Sequence, residues 1–172
     1  MFKIAELPLL AGRIGLCPVP GRAGDYGGDL AALLSWQPAL VVTLTSDIEL
    51  ECAGADSLPG DLARAGVAWR HLPVCDFRAP SAETTACWPE VSREARGVLA
   101  RGGAVLAHCY GGCGRAGMAL MRLMVEAGED PDTALARLRK ARPCAVESAA
   151  QLGWAGAGAP IVAPARKAQA AI

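Results

Sequence analysis

A chain of 172 residues is long enough for one domain with a sizeable buried core. Lys plus Arg and Asp plus Glu each number 17, so no overall field favours nucleic acid or an anionic membrane, and any attraction for phosphate must be local. Seven cysteines, an odd count without framework spacing, read as a reduced, cytoplasmic protein and not as a disulfide scaffold.

Glu6, Pro8 and Arg13 interrupt the first apolar run, so it is not read as a signal peptide. Two short strand-like runs, Phe2 to Leu7 and Arg13 to Cys17, are expected to turn at Gly12. A helix is predicted over Asp29 to Trp36, ended by Pro38. Leu40 to Leu44 follows as a continuous apolar strand, the pattern of a parallel sheet covered on both faces. Ser46, with Glu49 three residues on, signals the start of a short helix through Cys52. A further helix is expected over Pro59 to Ala65, and Val67 to Val74 alternates as a half-buried strand. Pro89 is read as an early residue of a helix through Ala100.

Beyond Gly102 and Gly103 a short apolar strand, Ala104 to Ala107, delivers His108 and Cys109 into a glycine-rich turn that Arg115 closes. A helix follows to Ala127. It is too short to cross a bilayer and carries Arg122. Asp130 and Pro131 open the next helix as cap and first residue, and a last helix is expected over Glu147 to Trp154. Residues 1–154 therefore read as one domain, with an Ala, Gly and Pro-rich tail over 155–172. Alternating strands and helices imply a single-domain α/β fold, its central sheet mostly parallel and flanked by helices. The glycine-rich turn lies at the carboxyl end of a central strand, where open sheets place their sites.

Within Cys109-Tyr110-Gly111-Gly112-Cys113-Gly114-Arg115, glycines let backbone N–H groups converge on one point. Such a nest at a helix N-terminus is an anion site, and a thiol at its base gives up its proton readily. Arg115 adds a planar fork matched to two phosphate oxygens. Tyr110, Gly111, Gly112, Cys113, Gly114 and Arg115 are the candidate phosphate-binding residues, with Cys109 as nucleophile.

His-Cys, five residues, then Arg resembles the signature loop of the cysteine-based protein phosphatases. The version His108-Cys109-Tyr110-Gly111-Gly112-x-Gly114-Arg115 is most similar to the cyclin-dependent-kinase-associated group of the dual-specificity branch. The similarity is strong over 104–117, moderate over 67–80 and 142–151, and weak elsewhere between 18 and 154. It implies a protein-tyrosine-phosphatase-like fold and hydrolysis of phosphomonoesters through a cysteinyl-phosphate intermediate, with no metal or other cofactor. The substrate would be a phosphorylated protein or a small phosphomonoester. A monomer without nucleic-acid or membrane partners is expected.

Such chemistry needs an acid to protonate the leaving oxygen. Asp76, in Pro73-Val74-Cys75-Asp76 with Pro80 beyond, matches the acid-bearing loop of related phosphatases. Trp88-Pro89-Glu90 imitates a rival Trp-Pro-Asp loop, and is set aside because Pro89 and Glu90 suit a helix's first turn. Arg142 to Gln151 resembles the late loop that carries a glutamine, so Gln151 would orient the water that attacks phosphocysteine; otherwise it is an exposed helix residue. His108 would order the loop. Tyr110 either stacks on an aromatic phosphate or packs locally.

Two departures stand out. Most relatives carry Ser or Thr after the signature arginine, where this chain has Ala116, as in a slow group of relatives. Cys113 is either a filler or a resolving thiol for oxidised Cys109. Two alternatives to an active phosphatase follow: a low-turnover phosphate-binding module, and a sulfur or arsenate redox enzyme using Cys109 with Cys113.

Overall fold

The computed structural model describes residues 2–160. The chain opens with a hairpin of β1 (Ala5–Leu9) and β2 (Gly12–Pro18), turning through Leu10 at φ 55°. Gly12 is the first paired residue of β2, opposite Leu9, so the turn falls two residues earlier than the sequence suggested. β1 alternates buried and exposed along its length, as an edge strand with one covered face should.

The sheet has the order β1-β2-β5-β3-β4, where β3 is Leu40–Thr43, β4 is Ala68–His71 and β5 is Ala104–Cys109. All pairings except β1 with β2 are parallel. β5 lies at the centre between β2 and β3, and all six of its residues are buried. The expected α/β class is the observed one.

Helices α1 (Tyr26–Ser35), α2 (Asp47–Cys52) and α3 (Leu58–Arg64) cover one face, packing Leu33, Leu50, Leu58 and Leu62 onto Val41 and Leu106. Helices α4 (Ala82–Ala100), α5 (Gly114–Glu126), α6 (Pro131–Ala141) and α7 (Ala149–Gly156) cover the other, over Leu16, Val42 and Val105. Each leucine so buried is worth about 1.5–3 kcal/mol relative to exposure. α5 is buried at every position except Arg122. Even Glu126 is inside, its carboxylate accepting from Trp88 Nε1 at 3.0 Å, Arg122 Nε at 2.7 Å and the Ser92 hydroxyl. A buried charge is tolerable only with partners of this kind.

Several boundaries differ from expectation for local reasons. α1 begins at Tyr26, three residues early, because the Asp25 side chain accepts from Gly28 N–H and caps it. α4 begins at Ala82 and not near Pro89: Ser81 accepts from Thr84 N–H, and Pro89 sits inside the helix. Its ring forgoes one interior bond and the long apolar face carries the helix through. β4 stops at His71 ahead of Pro73, yet Leu72 and Val74 still donate to Thr43 and Leu44, so the next loop is led along the end of β3. Ser148 caps α7, which starts two residues later than expected and runs to Gly156. Of the expected tail, residues 161–172 lie outside the described part of the chain.

Candidate active site

β5 delivers Cys109 beside Pro18 of β2 with 2% of its surface exposed, and α5 begins five residues later at Gly114. The turn between them needs its glycines for space. Gly112 has φ +67°, and a Cβ there would lie 2.3 Å from the Cys17 carbonyl carbon and the Pro18 nitrogen. A Cβ at Gly114 would lie 2.3 Å from a Glu147 carboxylate oxygen. The loop is thus pressed against β2 on one side and the α6–α7 connection on the other.

Arg115 points back under this turn and is 1% exposed. Glu49 of α2 grips it end-on: Nη1 and Nη2 donate to Oε2 and Oε1, each at 2.8 Å. Nη1 also donates to the Val74 carbonyl at 3.1 Å. Nε has no hydrogen-bond partner, although Asp76 Oδ1 lies 3.3 Å away. Burial opposes the guanidinium charge, but the Glu49 bonds and the nearby Cys109 and Asp76 outweigh it and hold the pKa above its ordinary value. Burial likewise works against ionised Glu49, and its bonds to Arg115 and to Ser46 prevail, setting its pKa below 4.5. Glu49 also closes a capping box with Ser46, whose N–H it accepts at 2.9 Å.

His108 is fully buried on β5 beside Thr43 of β3, with Nε2 2.7 Å from the Thr43 hydroxyl. Trp69 Nε1 donates to that same hydroxyl at 2.8 Å. Desolvation, helped by His71 and Arg115, lowers the His108 pKa to about 3, so the ring is neutral. It is a fixed hydrogen-bonding element behind the nucleophile.

Asp76 occupies the loop after β4, half exposed, with Oδ1 accepting the next residue's N–H at 3.1 Å. That next residue, Phe77, is exposed and takes φ +56°, a strained conformation for a bulky side chain. Gln151, read in sequence as either water-orienting or an exposed helix residue, is fully buried beneath the turn. Its Oε1 accepts from Glu147 N–H at 2.8 Å, and its Nε2 is buried without a partner close to Gly114. Arg115 and Asp76 therefore meet, Gln151 packs against the same turn at Gly114, and Cys109 ends the strand from which that turn departs. Glu90 does not join them: it lies on the exposed side of α4 near Arg93 and Glu94, so setting it aside holds for position, and the reason offered from Pro89 is replaced. Tyr110 is partly buried, with the Arg22 guanidinium 5.3 Å above its ring.

Sequence reasoning missed three partners of the loop. Glu49 was used up as a helix cap, although its place just past β3, the neighbour of β5, would have pointed inward once the strand order was known. Arg142 donates through Nε and Nη2 to the carbonyls of Gly112 and Gly111 at 3.1 and 3.0 Å, and Glu147 accepts from Gly114 N–H at 2.8 Å. Cys113 is corrected more sharply. Its sulfur is bonded to Cys144, so it is neither a free filler nor a thiol open to Cys109, and the expectation of a fully reduced chain does not hold for this pair. Cys17, Cys52, Cys75, Cys87 and Cys109 are free. Among the described residues no cluster of three or more His, Cys, Asp or Glu side chains could hold a metal, and no helix is long and apolar enough to cross a membrane.

Residues 20–129 match the family model described as Tc-R-P, polymorphic toxin system, DSP-PTPase phosphatase. Tk-PTP in its active form is 31% identical over 83% of this chain and 88% of its own, with a TM-score of 0.66. Kinase associated phosphatase, solved with its catalytic-site cysteine replaced by serine, is 22% identical over 90% of this chain and 92% of its own, at a TM-score of 0.78. Human DUSP28 is 22% identical over 83% and 87%, at 0.58. None of the curated proteins matches.

Proposed function

The chain belongs to the DSP-PTPase phosphatases of polymorphic toxin systems, a cysteine-based dual-specificity family, and from that premise we propose that it hydrolyses phosphomonoesters through a cysteinyl-phosphate intermediate. The observation that carries the proposal is the state of Arg115. Its two Nη atoms are spent on Glu49, so the fork expected to meet two phosphate oxygens is occupied, and its Nε, which makes no hydrogen bond, lies 3.3 Å from the Asp76 carboxylate beside the turn that follows Cys109. A buried cation fixed in this way, with Nε as its one donor outside the Glu49 and Val74 bonds, supports binding of a phosphoryl oxygen there.

In the first step Cys109 Sγ attacks phosphorus as the bond to the leaving oxygen breaks. Asp76 gives that oxygen its proton, while Arg115 and the nest N–H groups hold the phosphoryl oxygens. In the second step water attacks the phosphocysteine, Asp76 takes the water's proton, and inorganic phosphate leaves with the thiolate restored. The Gln151 Nε2, which has no hydrogen-bond partner, is the group suited to hold that water. His108, neutral and tied to Thr43, orders the loop and moves no proton. The substrate class is a phosphorylated protein or small phosphomonoester, and a soluble monomer is sufficient for the chemistry.

A second reading, a phosphate-binding module of low turnover, is favoured by one feature. Ala116 is fully buried where a hydroxyl would stabilise the departing thiolate. A third reading, a sulfur or arsenate redox enzyme using Cys109 with Cys113, loses its second thiol to the Cys113–Cys144 bond. Hydrolysis of an aryl phosphate by wild type, Cys109→Ser and Asp76→Ala tests the set. Activity surviving Cys109→Ser overturns the mechanism. Phosphopeptide binding without turnover selects the module, and thiosulfate or arsenate turnover alone selects the redox enzyme.

A further inference from the structure

Four successive residues of the nest are each held by one short segment. Arg142 takes the carbonyls of Gly111 and Gly112, Cys144 is bonded to Cys113, and Glu147 takes the N–H of Gly114. The contacts have a consistent sense. Arg142 draws the Gly111 and Gly112 carbonyls to one side, which turns the N–H groups of those two peptides, on Gly112 and Cys113, to the other, while the Gly114 N–H expected to bind phosphate is spent on Glu147. Between the arginine and the glutamate, the disulfide joins residues 31 apart in sequence and fixes the segment to the nest covalently. The segment is itself under strain. Val146, β-branched and buried, sits at φ +61°, a conformation that persists only where surrounding structure enforces it. Gly117 admits the segment, since a Cβ there would lie 2.9 Å from Val146 N.

We propose that the Cys113–Cys144 disulfide is a positioning clasp for the phosphate nest, so that the affinity of the site for an oxyanion depends on its thiol–disulfide state. The inference rests on the phosphatase reading and assigns that site a control that neither the motif nor the family match contains. Opening the clasp transfers two electrons and two protons from a dithiol reductant. The S–S bond breaks, thiols form at Cys113 and Cys144, and the reductant leaves as a cyclic disulfide. Cys109 takes no part. With the bond gone, Val146 relaxes toward an ordinary backbone, the segment shifts, and Arg142 no longer holds the nest carbonyls in register.

The test uses the full chain purified without reductant. Differential alkylation and intact mass first establish which cysteines are bonded, and then aryl phosphate kinetics are measured with inorganic phosphate as competitive inhibitor. Wild type, Cys144→Ser and Cys109→Ser are compared with and without a dithiol. Reduction of wild type, or Cys144→Ser, is expected to weaken phosphate inhibition and lower kcat/KM by roughly ten-fold, within the 10²-fold that about an ångström of misplacement can cost. A dithiol should not weaken phosphate inhibition of Cys144→Ser any further, which separates the clasp from rescue of an oxidised Cys109. A merely structural bond would reduce the active fraction, so kcat would fall while the phosphate inhibition constant stayed put, and that result overturns the proposal. So does alkylation of both Cys113 and Cys144 in the unreduced protein, or a phosphate constant for Cys144→Ser within about two-fold of wild type, a change too small for a displaced nest. Should Cys144→Ser not fold, reduction of folded wild type, monitored by circular dichroism, gives the same reading. Activity in Cys109→Ser would defeat the phosphatase mechanism by itself, whatever the clasp does.

Discussion

Replacing Glu49 by Ala removes the carboxylate that grips the Arg115 fork. Two charge-assisted bonds at 2.8 Å are lost, together with the bond from Ser46 N–H that closes the capping box of α2. Bonds to charged groups are worth about 1.5–3 kcal/mol each, and a lost cap adds about 1. Against this, Glu49 is 28% exposed, so water reaches part of the vacated space, and Arg115 keeps Val74 and Asp76. A loss of about 3 kcal/mol in urea unfolding is therefore expected, near the lower end of the ~3–5 measured when a buried pair loses one partner. The catalytic effect should divide unevenly. A fork free to swing loses alignment in the transition state, so kcat should fall about 10–100-fold. KM should move by less than about three-fold, because removing the carboxylate also removes a repulsion on incoming phosphate. The pH dependence has a definite sign. The folded pKa of Glu49 lies below 4.5, so its contribution is fully present above that value and fades as the pH falls further. The difference between wild type and Glu49→Ala should then be constant near neutrality and shrink below pH 4.5. Unfolding curves that coincide at pH 7, or a kcat within two-fold of wild type, would refute the assignment of Glu49 as the residue that positions Arg115.

The remaining predictions address separate groups. Asp76→Asn should slow release of phenol or alkyl alcohols by about 10²–10⁴-fold and barely affect a leaving group that departs without a proton; equal losses across a leaving-group series would remove Asp76 as the acid. Ala116→Ser should speed hydrolysis of trapped phosphocysteine, and an unchanged dephosphorylation rate in rapid quench would show that the missing hydroxyl does not limit turnover. His108, with a pKa lowered from 6.5 to about 3, is neutral when folded and takes a proton on unfolding. Stability should be complete above pH 6.5 and decline by about 1.4 kcal/mol per pH unit below it. His108→Gln should flatten that slope in urea titrations between pH 6 and 4, and an identical slope would mean that another group carries the acid sensitivity.

The parts of the site legible in sequence are those whose chemistry is local. His108 to Arg115 is one contiguous loop between a strand and a helix, and its glycines, nucleophile and cation announce themselves within a dozen residues. The fold class was legible for a related reason, since near-continuous apolar runs such as Leu40 to Leu44 and Ala104 to Ala107 suit a sheet covered on both faces. Where expectation slipped, a local signal was outweighed by packing. Pro89 reads as a helix start, but Ser81 caps the helix earlier, and the buried faces of Trp88, Val91 and Ala95 hold it together through the proline. Phe2 to Leu7 reads as a strand, but the hairpin register with β2 moves the paired residues on to Leu9.

What was illegible is everything that braces the loop from a distance. Glu49, Arg142, Cys144 and Glu147 lie 30 to 66 residues from the groups they hold, and each has a sufficient local explanation: a capping box, a helix end, a stray thiol, an acid beside a cap. Nothing in a single sequence distinguishes an acid that caps from one that also reaches across a sheet. The strand order does. Because β3 lies directly beside β5, the first turn after β3 must face the loop after β5, and an acid there meets whatever cation that loop buries. The same reasoning applies to the connection after α6, whose Ala145 and Val146 abut the start of α5 at Gly117. An anion nest built from glycines has little rigidity of its own. Its precision must be imported from neighbours, so the residues that set the rate of such a site are expected outside its motif, at the strand and helix ends that the topology places against it.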